Sequence, residues 1–175
     1  MRTLLFCVTF AAFTAAQVRA AQMYSRNVVH FDNSGLRSGP VALVADSQSV
    51  TVKWADEVRR RWVAVFSLNP GRPLIKEISV DGAAVLHNAR PYYECNTGKR
   101  HGGWNAFFDF PPANPAGVHL YRGEFALQSA SATTVGNRPN MTFNGLRMGL
   151  FSGSIRYVIF PGSRLIQQIA VVSTT

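Results

Sequence analysis

Leu74 to Leu86 reads LIKEISVDGAAVL, two short apolar runs on either side of Asp81-Gly82. A two-residue link between antiparallel strands needs positive φ at both positions, and Asp-Gly supplies it in a type I′ turn. The stretch therefore predicts a β-hairpin, and the same patterning continues in both directions. Upstream, VRRRWVAVFSL (Val58–Leu68) puts Val58, Arg60, Trp62, Ala64 and Phe66 on one face. QSVTVKWA (Gln48–Ala55) does the same with Val50, Val52 and Trp54, and PVALVAD (Pro40–Asp46) reads as a further strand. NPGRP (Asn69–Pro73) is a loop between them. Alternation with period two marks a strand with one wet and one dry side. No window sustains the i, i+3, i+4, i+7 spacing of an amphipathic helix. Turn residues recur at short intervals downstream as well. The expectation is an all-β fold, an antiparallel β-sandwich, with little helix apart from the N-terminal leader.

The last hairpin raises a separate question. Ile155–Phe160 and Leu165–Val172 read as two strands around Pro161-Gly162-Ser163. The second is apolar and β-branched, with no polar segment to close it. Such a strand left at a free edge invites aggregation. Either neighbours cover both its sides, or the natural protein continues past Thr175. The second reading is preferred, making residues 21–175 a single β-sandwich domain at the start of a longer protein.

The first twenty residues, MRTLLFCVTFAAFTAAQVRA, carry an early Arg2, an apolar run from Leu4 to Ala16 and a small-residue box at Val18-Arg19-Ala20. The run falls short of the ~20 apolar residues that span a bilayer. The order of these parts is that of a secretory signal peptide covering residues 1–20. Its removal takes away Arg2 and Arg19 and no acid, so 18 basic residues become 16 against 9 acids, a formal charge of +7. The mature chain is expected to be secreted or periplasmic, with no membrane contact after cleavage. Only Cys95 then remains, which excludes an internal disulfide framework; a lone cysteine of this kind usually acts as a small buried hydrophobe.

The basic excess does not itself indicate nucleic acid. Arg59-Arg60-Arg61 is the one run, it has Asp56 and Glu57 beside it, and the other cations are scattered. Nucleic-acid surfaces concentrate charge on one face and interleave aromatics. No nucleic-acid partner is expected, whereas an acidic polysaccharide suits the charge.

The richest segment for ligand chemistry is RPYYECNTGKRHGGWNAFFDF, Arg90 to Phe110. Gly98, Gly102 and Gly103 permit close approach of a ligand. Lys99, Arg100, His101, Asn105 and Asp109 offer cations, donors and a carboxylate. Tyr92, Tyr93, Trp104, Phe107 and Phe108 offer flat apolar surface. A pyranose presents an apolar face for stacking and hydroxyls that need paired donors and acceptors; uronic acids and sulfates add a demand for a cation, which the planar fork of Arg meets. The ligand-binding candidates are Tyr93, Lys99, Arg100, His101, Trp104, Asn105 and Asp109. The competing reading is a structural loop whose aromatics fill a core. No catalytic residue is assigned. Glu94 and Asp109 form a candidate acid pair of the kind a glycosidase requires. His30, His87, His101 and His119 lack metal-ligand spacing, so no metal is expected, and no P-loop, Rossmann fingerprint or nucleophile elbow calls for a cofactor.

GKRHGGWNAFFDFPP together with GLRMGLFSGSIRYVIFPGSRLIQQIAVVST resembles exported bacterial proteins in which an N-terminal β-sandwich, similar to the galactose mutarotase-like supersandwich, begins a longer chain. The resemblance covers most of residues 40–175. It implies a carbohydrate-associated domain that binds or helps to process a polysaccharide or sugar, neutral or acidic, with further domains of the same protein as partners. Mutarotases set an Arg with catalytic His and Glu on such a sheet; Arg100 and His101 match the first two, and no glutamate here matches the third. The alternative is a structural or docking module of a larger secreted protein with no ligand of its own.

Overall fold

The computed structural model describes residues 29–98 and 118–174. Within them the chain is all β, with no helix. The first strands are β1 (Phe31–Gly35), β2 (Ala42–Ala45), β3 (Ser49–Ala55), β4 (Arg61–Ser67), β5 (Ile75–Val80) and β6 (Ala83–Ala89). They are followed by β7 (Glu94–Gly98), β8 (Val118–Arg122), β9 (Glu124–Val135), β10 (Arg138–Met148), β11 (Phe151–Ile159) and β12 (Ile166–Thr174). One sheet runs β2-β3-β4-β5-β6 as a meander, and a second runs β1-β9-β10-β11-β12. A short ribbon, β7-β8, stands beside them. All pairings are antiparallel except β1 with β9.

The Asp81-Gly82 link closes the β5–β6 hairpin with φ of 49° and 85°, both positive as its sequence requires. The Asp81 carboxylate also accepts the Arg61 backbone N–H at 2.9 Å, which ties this turn to the start of β4. Val50, Val52 and Trp54 face inward from β3, and Trp62, Ala64 and Phe66 from β4. Across the interior stand Ala130, Ala132, Met141, Phe143, Ile155 and Tyr157 of the other sheet. The Phe66 ring lies 5.3 Å from Phe143 and 4.7 Å from Tyr157, so one aromatic cluster holds the two sheets face to face. Burial pushes the Tyr157 phenol upward. Its hydroxyl donates to Gln168 Oε1 at 2.7 Å, and Gln168 Nε2 in turn donates to the Tyr93 hydroxyl at 2.9 Å.

The inward face of β4 is shorter than its sequence pattern implies. Val58 is exposed and Arg59 has φ of 62°, so both belong to the turn rather than the strand. Asp56 is the cause. Its buried carboxylate accepts the backbone N–H groups of Val58 and Arg60, Arg60 Nε and Trp62 Nε1, all at 2.9–3.1 Å. A turn with four donors converging on one carboxylate holds residues 56–60 out of the ladder. The run Arg59-Arg60-Arg61 is thereby split: Arg60 bonds Asp56, while Arg61 lies exposed with its Nε 3.8 Å from Asp81.

Asp56 also helps to join the two sheets. Arg164, in the β11–β12 turn, lies 3.6 Å from it and 2.8 Å from Glu57. Trp54 Nε1 donates to Ser163 O at 2.8 Å, and Gly162 N–H donates to Ala55 O at 3.1 Å. Burial acts to raise the Asp56 pKa, but the hydrogen bonds from Trp62 and Arg60 outweigh it and hold the group at about 2, below the ordinary 3.8. A depressed folded-state value means that this group's contribution to stability is present above pH about 3.8 and fades as pH falls toward 2. Melting temperature followed from pH 6 to pH 2 is expected to fall more steeply for the wild type than for Asp56→Asn, which starts lower at pH 6. Parallel curves would refute this role for the carboxylate.

Among the described residues β12 is the outer strand of its sheet, paired with β11 alone. Cys95 on β7 is half-buried against the core and forms no disulfide.

Candidate functional site

The meander has two ends. The β3–β4 and β5–β6 turns form the tryptophan end, around Trp54 and Trp62. The β2–β3 turn, the Asn69–Pro73 loop and the exit of β6 form the other, which is cationic.

The cationic end is built on tight turns. Asp46 accepts the N–H groups of Gln48 and Ser49, each at 2.7 Å, which closes the β2–β3 turn. Leu68 N–H donates to Gln48 O and Ser67 N–H to Leu74 O, both at 2.8 Å, so the Asn69–Pro73 loop is pinned at its base. Within it Gly71 has φ of 82°, and Arg90 Nη2 donates to Gly71 O at 2.8 Å from beyond β6. The loop is thus presented on a rigid scaffold, where binding groups commonly sit.

Two hollows adjoin there and share Arg72. The first, of about 310 Å³, is lined by Gln48, Asn69, Arg72, Lys76 and Asn88 among others, with no carboxylate. The second, of about 450 Å³, is lined by Arg72, Arg90, Tyr92, Glu124 and Phe125 among others. Three cations therefore meet one acid across the pair. Arg72 and Lys76 form no ion pair among the described residues. The nearby Asp46 is occupied by its turn: backbone hydrogen bonds from Gln48 and Ser49 lower its pKa first, with Lys76 a lesser influence. Unpaired cations among amide side chains are able to receive an anion with hydroxyls around it.

Tyr92 adds an aromatic surface to the second hollow. It is 62% exposed, far more than a ring placed for packing. Its hydroxyl donates to Glu94, and Glu94 lies 3.5 Å from Arg122 Nε. That hydrogen bond to Glu94 is the main cause of the upward shift of the Tyr92 phenol. The ring is braced at its far edge while a face stays open. Glu94 is thereby engaged with Tyr92 and Arg122.

Of the sequence-derived candidates, Tyr93 is half-buried against the core, its hydroxyl held by Gln168, and it lines neither hollow. Alternation along the chain turns Tyr93 inward and Tyr92 outward. Lys99, Arg100, His101, Trp104, Asn105 and Asp109 lie outside the described residues, as do Phe107 and Phe108. Sequence reasoning missed Gln48, Arg72, Lys76, Asn88 and Arg90, which come from separate segments. One signal was available: Arg72 and Arg90 each precede a proline, in stretches where chain punctuation and cations coincide.

Compared with known protein families and with curated proteins, the chain matches none.

Proposed function

We propose that the chain is an exported, carbohydrate-associated β-sandwich domain whose cationic end binds an acidic polysaccharide. The observation that carries this reading is the pair of adjoining hollows in which Arg72 and Lys76 form no ion pair among the described residues, with Arg90 fixed beside them and the exposed Tyr92 braced by Glu94. One pyranose unit stacks on Tyr92 in the second hollow, the hydroxyls of a neighbouring unit meet Gln48, Asn69 and Asn88 in the first, and their carboxylate or sulfate groups meet the guanidinium and ammonium groups.

The test is calorimetric titration of the purified protein with oligogalacturonate and heparin-derived oligosaccharides. A charged hydrogen bond contributes about 1.5–3 kcal/mol, so Arg72→Ala with Lys76→Ala should weaken binding at least ~10-fold. Binding should also weaken as salt is raised, and melting temperature should hardly change. No binding by the folded wild type, or equal binding by the double variant, would overturn the reading.

A docking module without its own ligand is favoured by a different observation. Among the described residues β6 and β12 are outer strands and carry exposed Val85, Leu86, Val171 and Val172. Unpaired strand edges accept a further strand. Under that reading the double variant leaves every interaction intact.

A further inference from the structure

The β9–β10 hairpin carries a hollow of about 440 Å³, within the size range of small-ligand sites. Its lining comes from one face of the sheet. Asn140 on β10 stands opposite Val158 on β11, and Val158 stands opposite Gln167 on β12. Residues directly opposite one another share a face. That face is turned away from the core, because Met141, Tyr157 and Ile159, the chain neighbours of this row, are the ones buried between the sheets. Arg138 precedes Asn140 by two residues, so alternation gives it the same outward face. Phe160 follows Val158 by two residues, and the Arg138 guanidinium lies 4.6 Å over the centroid of its ring. The ring thus holds a flat side of the guanidinium in place, while the N–H donors at the edge of its plane remain for a ligand. Little side-chain freedom is lost when such a group binds.

Among the described residues no carboxylate lines this hollow and Arg138 forms no ion pair. Asn137, Asn140 and Gln167 surround it with amide groups, each both donor and acceptor, which is what sugar hydroxyls match. Val158, its most buried member at 8% exposure, adds an apolar patch. From these features we infer that the β9–β10 hairpin is a second acidic-sugar site, in which Arg138 takes the carboxylate of a uronic acid unit through its planar fork and the amides take the hydroxyls. The inference rests on the acidic-glycan reading above and adds to it a second location. Strand β9 begins at Glu124, which lines a cationic hollow, and ends at Val135, which lines this one. Its twelve residues set the two sites roughly 36 Å apart at ~3.3 Å per step. A polymer held at both ends of one strand gains avidity from the pairing.

Two-dimensional NMR of the side-chain N–H signals tests this, with hexagalacturonate, sulfated cellohexaose and cellohexaose as probes. Hexagalacturonate should shift the Arg138 Nε–H and the Asn140 and Gln167 amide signals saturably, and equally so in the Arg72→Ala, Lys76→Ala double variant. Cellohexaose should leave them in place. Arg138→Ala should weaken binding at this hollow about 10-fold or more, as loss of a charged hydrogen bond predicts. Because Arg138→Ala also uncovers Phe160, exposed Gln167 supplies a second pair of variants. Gln167→Glu sets a carboxylate beside Arg138 and should weaken hexagalacturonate binding here, whereas Gln167→Lys should strengthen it. Equal effects of the two would mean that charge plays no part, and the inference would fail. If hexagalacturonate binds at the cationic end and leaves the Arg138, Asn140 and Gln167 signals unmoved, this inference falls and the cationic site stands. If no acidic sugar binds at either end, both fall. Shifts from sulfated cellohexaose with none from hexagalacturonate would sink the uronate assignment.

Discussion

Gly145→Ala is expected to lower the melting temperature by ten degrees or more, or to prevent folding. Gly145 lies where β10 slips register against both its neighbours, between Asn144 and Leu146. Its φ is 122°, and a Cβ there would lie 1.9 Å from Ala126 O and 2.7 Å from Ala126 C. These obstacles are backbone of β9, which cannot rotate away as a side chain can. Unfavourable φ alone costs about 1–3 kcal/mol. Prising β9 from β10 adds to it, because these strands pair along nearly the whole of β10 and β9 supports β1 on its far side. A total of ~5 kcal/mol or more corresponds to ten degrees or more at about 2–4 °C per kcal/mol for a chain of this size. Gly162→Ala is the control. Gly162 also has positive φ, 74°, but nothing lies within 4 Å of its would-be Cβ. It should lose only about 1 kcal/mol. Thermal melts followed by circular dichroism that show equal losses for the two variants would refute the steric argument.

Phe143→Ala should destabilise the domain by about 3–5 kcal/mol, the usual cost of truncating a buried ring. Phe143 has no exposed surface, and its ring touches Phe66 at 5.3 Å and Tyr157 at 6.0 Å, the latter edge-on. Removing it opens a void between the sheets, where the remaining rings belong to stiff strands and collapse only in part. Phe143→Leu retains most of the volume and should lose less than about 1.5 kcal/mol. Urea denaturation with unchanged slope would give both values. A loss below 1 kcal/mol for Phe143→Ala would mean that the two sheets do not depend on this cluster.

The strands were legible because their cause is local. Val50, Val52 and Trp54 alternate with polar neighbours, and the structure buries all three. Asp81-Gly82 could be read as a hairpin turn since its positive φ values are a property of those two residues. Val58 and Arg60 were less tractable. Their apolar-polar alternation imitates a strand, yet one carboxylate, Asp56, gathers their backbone N–H groups into a turn. Tyr92 and Tyr93 look alike in sequence; a single step along the chain sends one to the surface and the other to the core.

The amino-acid sequence by itself determined that this chain is β throughout its described part and where its tight hairpin falls, for period-two hydrophobicity and turn chemistry act between residues a few positions apart. Only the tertiary structure decided that Arg72, Lys76, Arg90 and Tyr92 line two adjoining hollows, that Trp54 and Trp62 lock against the distant Ser163 and the nearby Asp56, and that β1 pairs with β9 about a hundred residues away. Those neighbours are chosen by the burial of a common core, a quantity that depends on every strand at once and that no short stretch of chain contains.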